Sequence, residues 1–348
     1  MKRRTRRLLW LVVVISGAAS LLGAQETTTT APRVRAVGRI GMTVESLERS
    51  RDFLVAAFGF EPLAETEALG ADLDRLTGVF GARRKELRLR LGSEELELHE
   101  FATPAGRAFP ADSQPNDHWF QHVAIITSDM DRAYAHLREV GIRHGSSVPQ
   151  TLPDWNPAAG GIRAFYFRDP DGHWLEVLQF PNGKGDARWQ ARDRLFLGID
   201  HTAIVVADTE RSLSFYRDLL GLQVAGTSEN WGPEQEQLNG VFGAHLRITA
   251  LRATNGPGIE LLEYLSPSSG RPYPREATPV DLLHWQTNCE VDDVEDLFSA
   301  WRSAAGRWIS SEIVEGQERR FLARDPDGHA LAIEGPRYVD GAPKVPSR

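Results

Sequence analysis

The chain repeats itself, and that repetition limits what it can fold into more than any single motif does. Thr77-Gly78-Val79-Phe80-Gly81-Ala82 returns as Asn239-Gly240-Val241-Phe242-Gly243-Ala244, and Arg49-Ser50 with Phe53 and Gly59 returns as Arg211-Ser212 with Phe215 and Gly221, both at an offset of 162 residues. Asp169-Pro170-Asp171-Gly172-His173 returns as Asp325-Pro326-Asp327-Gly328-His329. Repeats of this kind mark a unit that buries its apolar face against further copies of itself. The chain therefore reads as two similar halves, residues 36–180 and 197–335, joined by a linker over 181–196 that opens with the turn-forming stretch Pro181-Asn182-Gly183-Lys184-Gly185.

Each half divides again. His122–Thr127 and Ile199–Val206 are β-branched, strand-like runs. Asp129 and Asp208 follow them as helix caps, and Gly141 and Gly221 stop the helices. The helix in residues 36–120 carries Phe53, Leu54, Ala57 and Phe58 and stops at Gly59; the last one carries Leu297, Phe298 and Trp301 and stops near Gly306. Strand pairs follow each helix, for example Arg163–Arg168 with Trp174–Phe180 across the Asp-Pro-Asp-Gly turn. The expected class is α+β: four β-α-β-β-β modules with curved mixed sheets and helices outside.

The ends differ from the repeats. Lys2, Arg3, Arg4, Arg6 and Arg7 precede an apolar run from Leu8 to Leu22, closed by Ala24. Residues 1–24 are thus expected to be an export signal, directing the protein to the periplasm or the medium, with a retained membrane anchor as the alternative. Residues 25–35 form a polar lead-in and 336–348 a tail. Without the five basic signal residues, 35 basic side chains face 48 acidic ones, a balance of −13. Such a surface is a poor partner for nucleic acid. The single cysteine, Cys289, forms no internal disulfide and no thiol metal cluster.

Two pairs of residues stand at matching places in the middle modules. His122 and His201 lie on the strand before a helix, and Glu176 and Glu260 lie on the last strand of the same module. Two imidazoles and two carboxylates suit one divalent ion, Zn, Mn, Ni, Co or Fe, with positions left open for a substrate. Strand alternation gathers Trp174, Glu176, Leu178 and Phe180 on one face and Glu260, Leu262 and Tyr264 on another. The pocket is then apolar and aromatic, with polar groups at its base. The segments Trp155–Gly161 and Asn230-Trp231-Gly232 are lid candidates.

The motifs His201-Thr202-Ala203-Ile204-Val205-Val206-Ala207-Asp208, Ile259-Glu260-Leu261 and Asp169-Pro170-Asp171-Gly172-His173-Trp174-Leu175-Glu176 resemble the vicinal oxygen chelate superfamily over nearly all of residues 36–335. That superfamily includes glyoxalase I, type I extradiol dioxygenases and the bleomycin and fosfomycin resistance proteins. The resemblance implies cups built from two modules, each with ligands on first and last strands. In that register module one supplies Arg39 and Glu97, and module four supplies Gln286 and Ala332, so only the inner modules keep a complete set. Modules could pair one with two and three with four, or be nested, two with three and one with four. We favour the nested arrangement, which gives one His2Glu2 site (His122, Glu176, His201, Glu260) and a second cup in which Arg39 lies near Glu97 and Gln286.

The resemblance implies an exported metalloenzyme for isomerase, epimerase or lyase chemistry on a small oxygen-chelating substrate, with Glu176 or Glu260 moving a proton. Glyoxalase I activity itself is disfavoured, because an exported enzyme meets little glutathione. One alternative is an Fe(II) ring-cleaving dioxygenase built from modules three and four; Gln286 and Ala332 occupy the places where it needs ligands, and His284 and Glu334 would serve only after register slips. Another is a non-enzymatic binder holding a ligand without metal. The expected partner is a small molecule, with no nucleic acid, membrane contact only through the signal segment, and a monomeric or homodimeric state.

Overall fold

The computed structural model describes residues 33–303, 307–316, 318–339 and 342–343. The expected export signal, residues 25–32 of the lead-in, the stop near Gly306 and most of the tail lie outside the described residues. Among the described residues no helix is long and apolar enough to cross a membrane.

Module one contains β1 (Val34–Thr43), α1 (Leu47–Phe58), β2 (Glu61–Leu69), α2 (Ala71–Thr77), β3 (Arg83–Leu91) and β4 (Glu94–Thr103). Module two contains β5 (Gln121–Thr127), α3 (Met130–Val140), the short β6 (Arg143–His144) and β7 (Gln150–Thr151), β8 (Arg163–Arg168) and β9 (Trp174–Gln179). Module three contains β10 (Phe196–Val205), α4 (Thr209–Leu213, widening into a π-helical turn over Ser214–Leu219), β11 (Gln223–Trp231), α5 (Pro233–Asn239), β12 (His245–Arg252) and β13 (Gly258–Ser266). Module four contains β14 (Trp285–Val291), α6 (Val294–Ser303), the short β15 (Arg307–Trp308) and β16 (Val314–Glu315), β17 (Arg319–Arg324) and β18 (Ala330–Gly335).

The caps explain where the long helices begin. Ser46, Asp129 and Asp208 each accept a hydrogen bond from the backbone N–H three residues on. Gly59 and Gly141 adopt the left-handed conformation that ends α1 and α3. Helices α2 and α5, at the repeated Gly-Val-Phe-Gly motif, were not foreseen; both are short, and α5 starts on Pro233.

Module pairing is nested. The inner sheet runs β11-β12-β13-β10-β5-β9-β8-β6, with β7 on β8, and so joins modules two and three. The outer sheet runs β15-β17-β18-β14-β1-β4-β3-β2, with β16 on β17, and joins modules one and four. At the centre of the inner sheet β5 and β10 pair antiparallel, with His122 opposite Ala203. Each then pairs parallel with the last strand of its own module, Ala124 beside Glu176 and Ala203 beside Glu260.

Apolar cores tie sequence neighbours together instead. Ile40, Leu54, Phe58 and Leu98 of module one pack with Val123, Leu137, Phe165 and Val177 of module two. Ile204, Phe215 and Leu261 of module three pack with Leu297, Trp301 and Phe321 of module four. The repeated Asp-Pro-Asp-Gly turns are staples between the sheets. Asp171 accepts from the Glu45 N–H and pairs with Arg49 at the start of α1, while Asp327 pairs with Arg211 of α4. His173 and His329 reach carbonyl oxygens across the interface, Leu282 at 2.7 Å and Val205 at 2.8 Å.

Candidate metal centre

His122, Glu176 and His201 each present a ligand atom within 4.8 Å of the other two, and all three are buried. The Glu176 carboxylate lies 3.1 Å from His122 Nε2 and 3.7 Å from His201 Nε2. Glu260, from the same module as His201, places its carboxylate 3.4 Å from His201 Nε2, outside that set of three. Its side chain is 24% exposed against 6% for Glu176. The four residues thus converge on one base, two from each inner module.

His201 is oriented from behind. Its Nδ1 lies 2.9 Å from Asp200, whose carboxylate also accepts from Trp189 Nε1 at 2.8 Å and from Arg252 at 2.8 Å. Burial opposes a charge on His201, but Glu260, Asp200 and Glu176 outweigh it and raise its pKa to about 9. Burial likewise opposes ionisation of Asp200, yet His201 and Arg252 hold it below the usual carboxylate range. With Nδ1 committed to Asp200, Nε2 is left facing the other carboxylates, the arrangement that metal-ligating imidazoles require.

Neither nitrogen of His122, nor His201 Nε2, has a hydrogen-bond partner among the described residues, although all are buried. An imidazole nitrogen sealed from water without a partner is costly. A divalent ion between His122, His201, Glu176 and Glu260 would take up one nitrogen of each imidazole, so the residues present fit such a group.

These residues open onto a cavity of about 1360 Å³. Its wall is apolar around the ligands, with Ile162, Leu178, Ile248 and Leu262, and Tyr166 lies over His122 at 5.0 Å between ring centres. Trp174 is buried, with Arg168 stacked on its ring at 4.2 Å, and Tyr264 is buried behind Asn239; neither lines this cavity. Trp231 stacks on Trp155 at 4.1 Å outside the cavity, so the two lid candidates meet each other, joined further by Asn156 Nδ2 donating to Asn230 at 2.6 Å.

The outer cup is filled by its own side chains. Arg39 lies 3.3 Å from Glu97 and 2.8 Å from Glu334. Glu97 is also 3.1 Å from His99 and accepts from Asn288, which in turn accepts from Gln286 at 3.1 Å. Ala332 carries no ligand atom, and Glu334, two residues on, supplies the second carboxylate. Two carboxylates share one guanidinium. Burial opposes ionisation of Glu97, but His99 and Arg39 hold its pKa well below the usual range. Burial, with Glu97 nearby, instead pushes Glu334 up to about 7. Glu86, Glu97 and His99 also bring ligand atoms within 4.8 Å of one another. The guanidinium groups of Arg39 and Arg84 lie against these carboxylates, which leaves a divalent ion no favourable place.

The ring-cleaving alternative needed ligands from modules three and four in one cup. Glu334 lies in the outer sheet, His284 directly before its strand β14, and His201 in the inner sheet, so that set is not assembled.

Sequence reasoning missed Asp200, Arg252, Tyr166, His99 and Asn288. Alternation places Asp200 on the face opposite His201. The pairing of β10 with β5 shifts register between Ile199 and His201, and this bulge lets the Asp200 carboxylate reach the ring. An acid directly before a strand histidine was the available signal.

Comparison with known proteins agrees with this architecture. Residues 36–177 and 198–333 match the model of the Glyoxalase/Bleomycin resistance protein/Dioxygenase superfamily, and the chain belongs to that family. A 2-epi-5-epi-valiolone epimerase from Actinomyces sp. is 35% identical over 159 residues, covering 44% of this chain and 83% of the epimerase. Glyoxalase I of Saccharomyces cerevisiae is 23% identical over 111 residues, 32% of this chain and 31% of the yeast protein. The crystal structure of Zea mays glyoxalase I shares the fold, with a TM-score of 0.58 at 17% identity over 86% of this chain and 92% of the maize chain.

Proposed function

We propose that the chain is an exported, divalent-metal-dependent isomerase or epimerase that moves a proton on the carbon beside a carbonyl in an α-hydroxycarbonyl substrate. The observation that carries this reading is the set of unpartnered, buried imidazole nitrogens of His122 and His201 facing two carboxylates at the base of a large cavity. Similarity to an epimerase and to glyoxalase I supports the reaction class. An ion held there supplies Lewis-acid polarisation of two substrate oxygens.

The protein's own residues divide the remaining work. Asp200 fixes the tautomer and angle of His201. Glu176, held between both imidazoles and almost fully buried, anchors the site. Glu260 touches only one imidazole and is the more exposed carboxylate, so it is the base that takes and returns the proton. The apolar wall of Leu178, Ile248 and Leu262 lowers the local dielectric and strengthens each of these charges.

The test is solvent exchange. Protein loaded separately with Mn, Zn, Ni, Co or Fe is mixed with hydroxyketones in D2O, and deuterium entering the carbon beside the carbonyl is followed by NMR. Exchange should need metal, and Glu260→Ala should abolish it while metal stays bound. Exchange in metal-free protein, or undiminished exchange by Glu260→Ala, refutes the reading.

A further inference from the structure

Helix α5 forms part of the cavity wall and brings Gln235 to it. Gln235 is 2% exposed. Its Nε2 donates to Asn239 Oδ1, and Asn239 Nδ2 donates to the Tyr264 hydroxyl. This chain of bonds fixes the amide, yet the carbonyl oxygen Oε1 has no donor among the described residues. Buried amide oxygens are almost always satisfied, and one held in place without a partner is costly.

The repeat supplies an internal control. Helix α2 of module one matches α5 at the offset of 162, which sets Leu73 against Gln235 and Thr77 against Asn239. Glu97 and Glu260 hold the same register beside Gly41 and Ala203, which sets Phe101 against Tyr264. So the Gln235–Asn239–Tyr264 chain occurs in the module that serves the candidate metal centre. In the outer cup, whose Arg39 takes the place of a cation, the same three positions are Leu, Thr and Phe. Thr77 spends its hydroxyl on the Leu73 carbonyl at 2.8 Å, a local helix bond. The Gln235 and Asn239 amides and the Tyr264 phenol occur together in the inner cup, and all three are missing from the matching positions of the outer one.

We propose that Gln235 is a specificity-determining residue that accepts a hydrogen bond from a substrate hydroxyl, so that the substrate carries at least one hydroxyl beyond its α-hydroxyketone. This rests on the functional reading above. An acceptor carbonyl recognises an O–H donor, and a site that leaves such an acceptor unpaired discriminates against the analogue that lacks the donor.

Two probes sharing the α-hydroxyketone, a pentahydroxycyclohexanone and 2-hydroxycyclohexanone, test it by calorimetric titration of the Mn-loaded protein. Gln235→Leu, the residue of the matching helix, should weaken the polyol roughly tenfold, about one hydrogen bond, and leave 2-hydroxycyclohexanone and metal content unchanged. Tyr264→Phe, which removes the far anchor of the chain, should weaken the polyol in the same direction by a smaller factor, and it carries the test if Gln235→Leu fails to fold. Unchanged polyol affinity in the soluble variants, or equal loss for both probes, overturns the assignment of Gln235 alone. Failure of the parent protein to bind either probe overturns the functional reading and the assignment with it.

Discussion

Glu334 is where the outer cup can be read by pH. It shares Arg39 with Glu97, and burial holds its pKa at about 7 against an ordinary value of 4.5. Between those values the folded protein keeps a proton that the unfolded chain releases. Unfolding free energy therefore falls as pH rises through that window, and it is fully restored below the lower value. Two and a half pH units at about 1.4 kcal/mol each give a loss of about 3 kcal/mol for this group. Glu334→Gln is the matched perturbation, since the amide keeps the shape and cannot ionise. Urea denaturation of parent and variant at a series of pH values between 4.5 and 8 reads the difference. The variant should gain on the parent steadily with pH, by about 3 kcal/mol across the window. Taking the difference cancels other titrating groups that the two proteins share. A gap that stays constant with pH means that Glu334 is ionised throughout, and the argument that one guanidinium cannot hold two buried carboxylates fails.

Asp200→Asn removes the carboxylate behind His201 and should weaken metal binding by about 10- to 100-fold in competition with a fluorescent chelator; unchanged affinity would show that the ring needs no such support. Metal at a hundred times its dissociation constant should stabilise the parent by about 2.7 kcal/mol in thermal melts and leave His122→Ala unmoved. Gly256 has φ of +86°, and a Cβ there would sit 1.7 Å from the Val37 carbonyl oxygen of the outer sheet. Gly256→Ala should thus cost about 3 kcal/mol or more by chemical denaturation, and a variant as stable as the parent would mean that the two sheets do not meet rigidly there.

The modules were legible because their signals are local: a cap such as Asp129, a stop such as Gly141 and a β-branched run are complete within a few residues. Nested pairing was legible for a different reason. Arg39 and Ala332 are such poor ligands that only one partition of the four modules left a complete set. Asp200 was hidden because strand alternation is a rule about regular strands, and a bulge cancels it at one residue. Glu334 was recognised only as a residue two places out of register, since nothing local says that Arg39 can reach past Ala332 to it. The part of the linker at Arg188 and Trp189 looked like spacer chemistry. It packs instead against Glu94 and Asp200, contacts between residues far apart in sequence that no short window contains. Trp174 and Tyr264 share a face with their ligands as alternation says, but a face of a curved sheet is long, and only part of it borders the cavity.

Charge balance gives an argument for the metal that does not depend on the shape of the site. The two cups descend from one plan, and one carboxylate is retained in both, Glu260 in the inner and Glu97 in the outer. A carboxylate taken out of water needs a positive partner. Glu97 has one, the guanidinium of Arg39, which stands at the position matching His201. Around it the rest of the plan has lapsed: Gly38 stands where Asp200 would support an imidazole, Gln286 where His122 would be, and Ala332 where Glu176 would be. The inner cup keeps two carboxylates, and among the described residues neither Glu176 nor Glu260 pairs with an arginine or lysine. Arg252, the cation nearest in the network, is taken up by Asp200. The positive charge that the outer cup carries on a side chain must in the inner cup come from elsewhere, either from protons on the imidazoles or from a bound cation. A proton on His201, whose Nδ1 is bonded to Asp200, supplies one positive charge against the two carboxylates and leaves the second uncompensated. A divalent cation would match the charge of both carboxylates and take up one nitrogen each of His122 and His201.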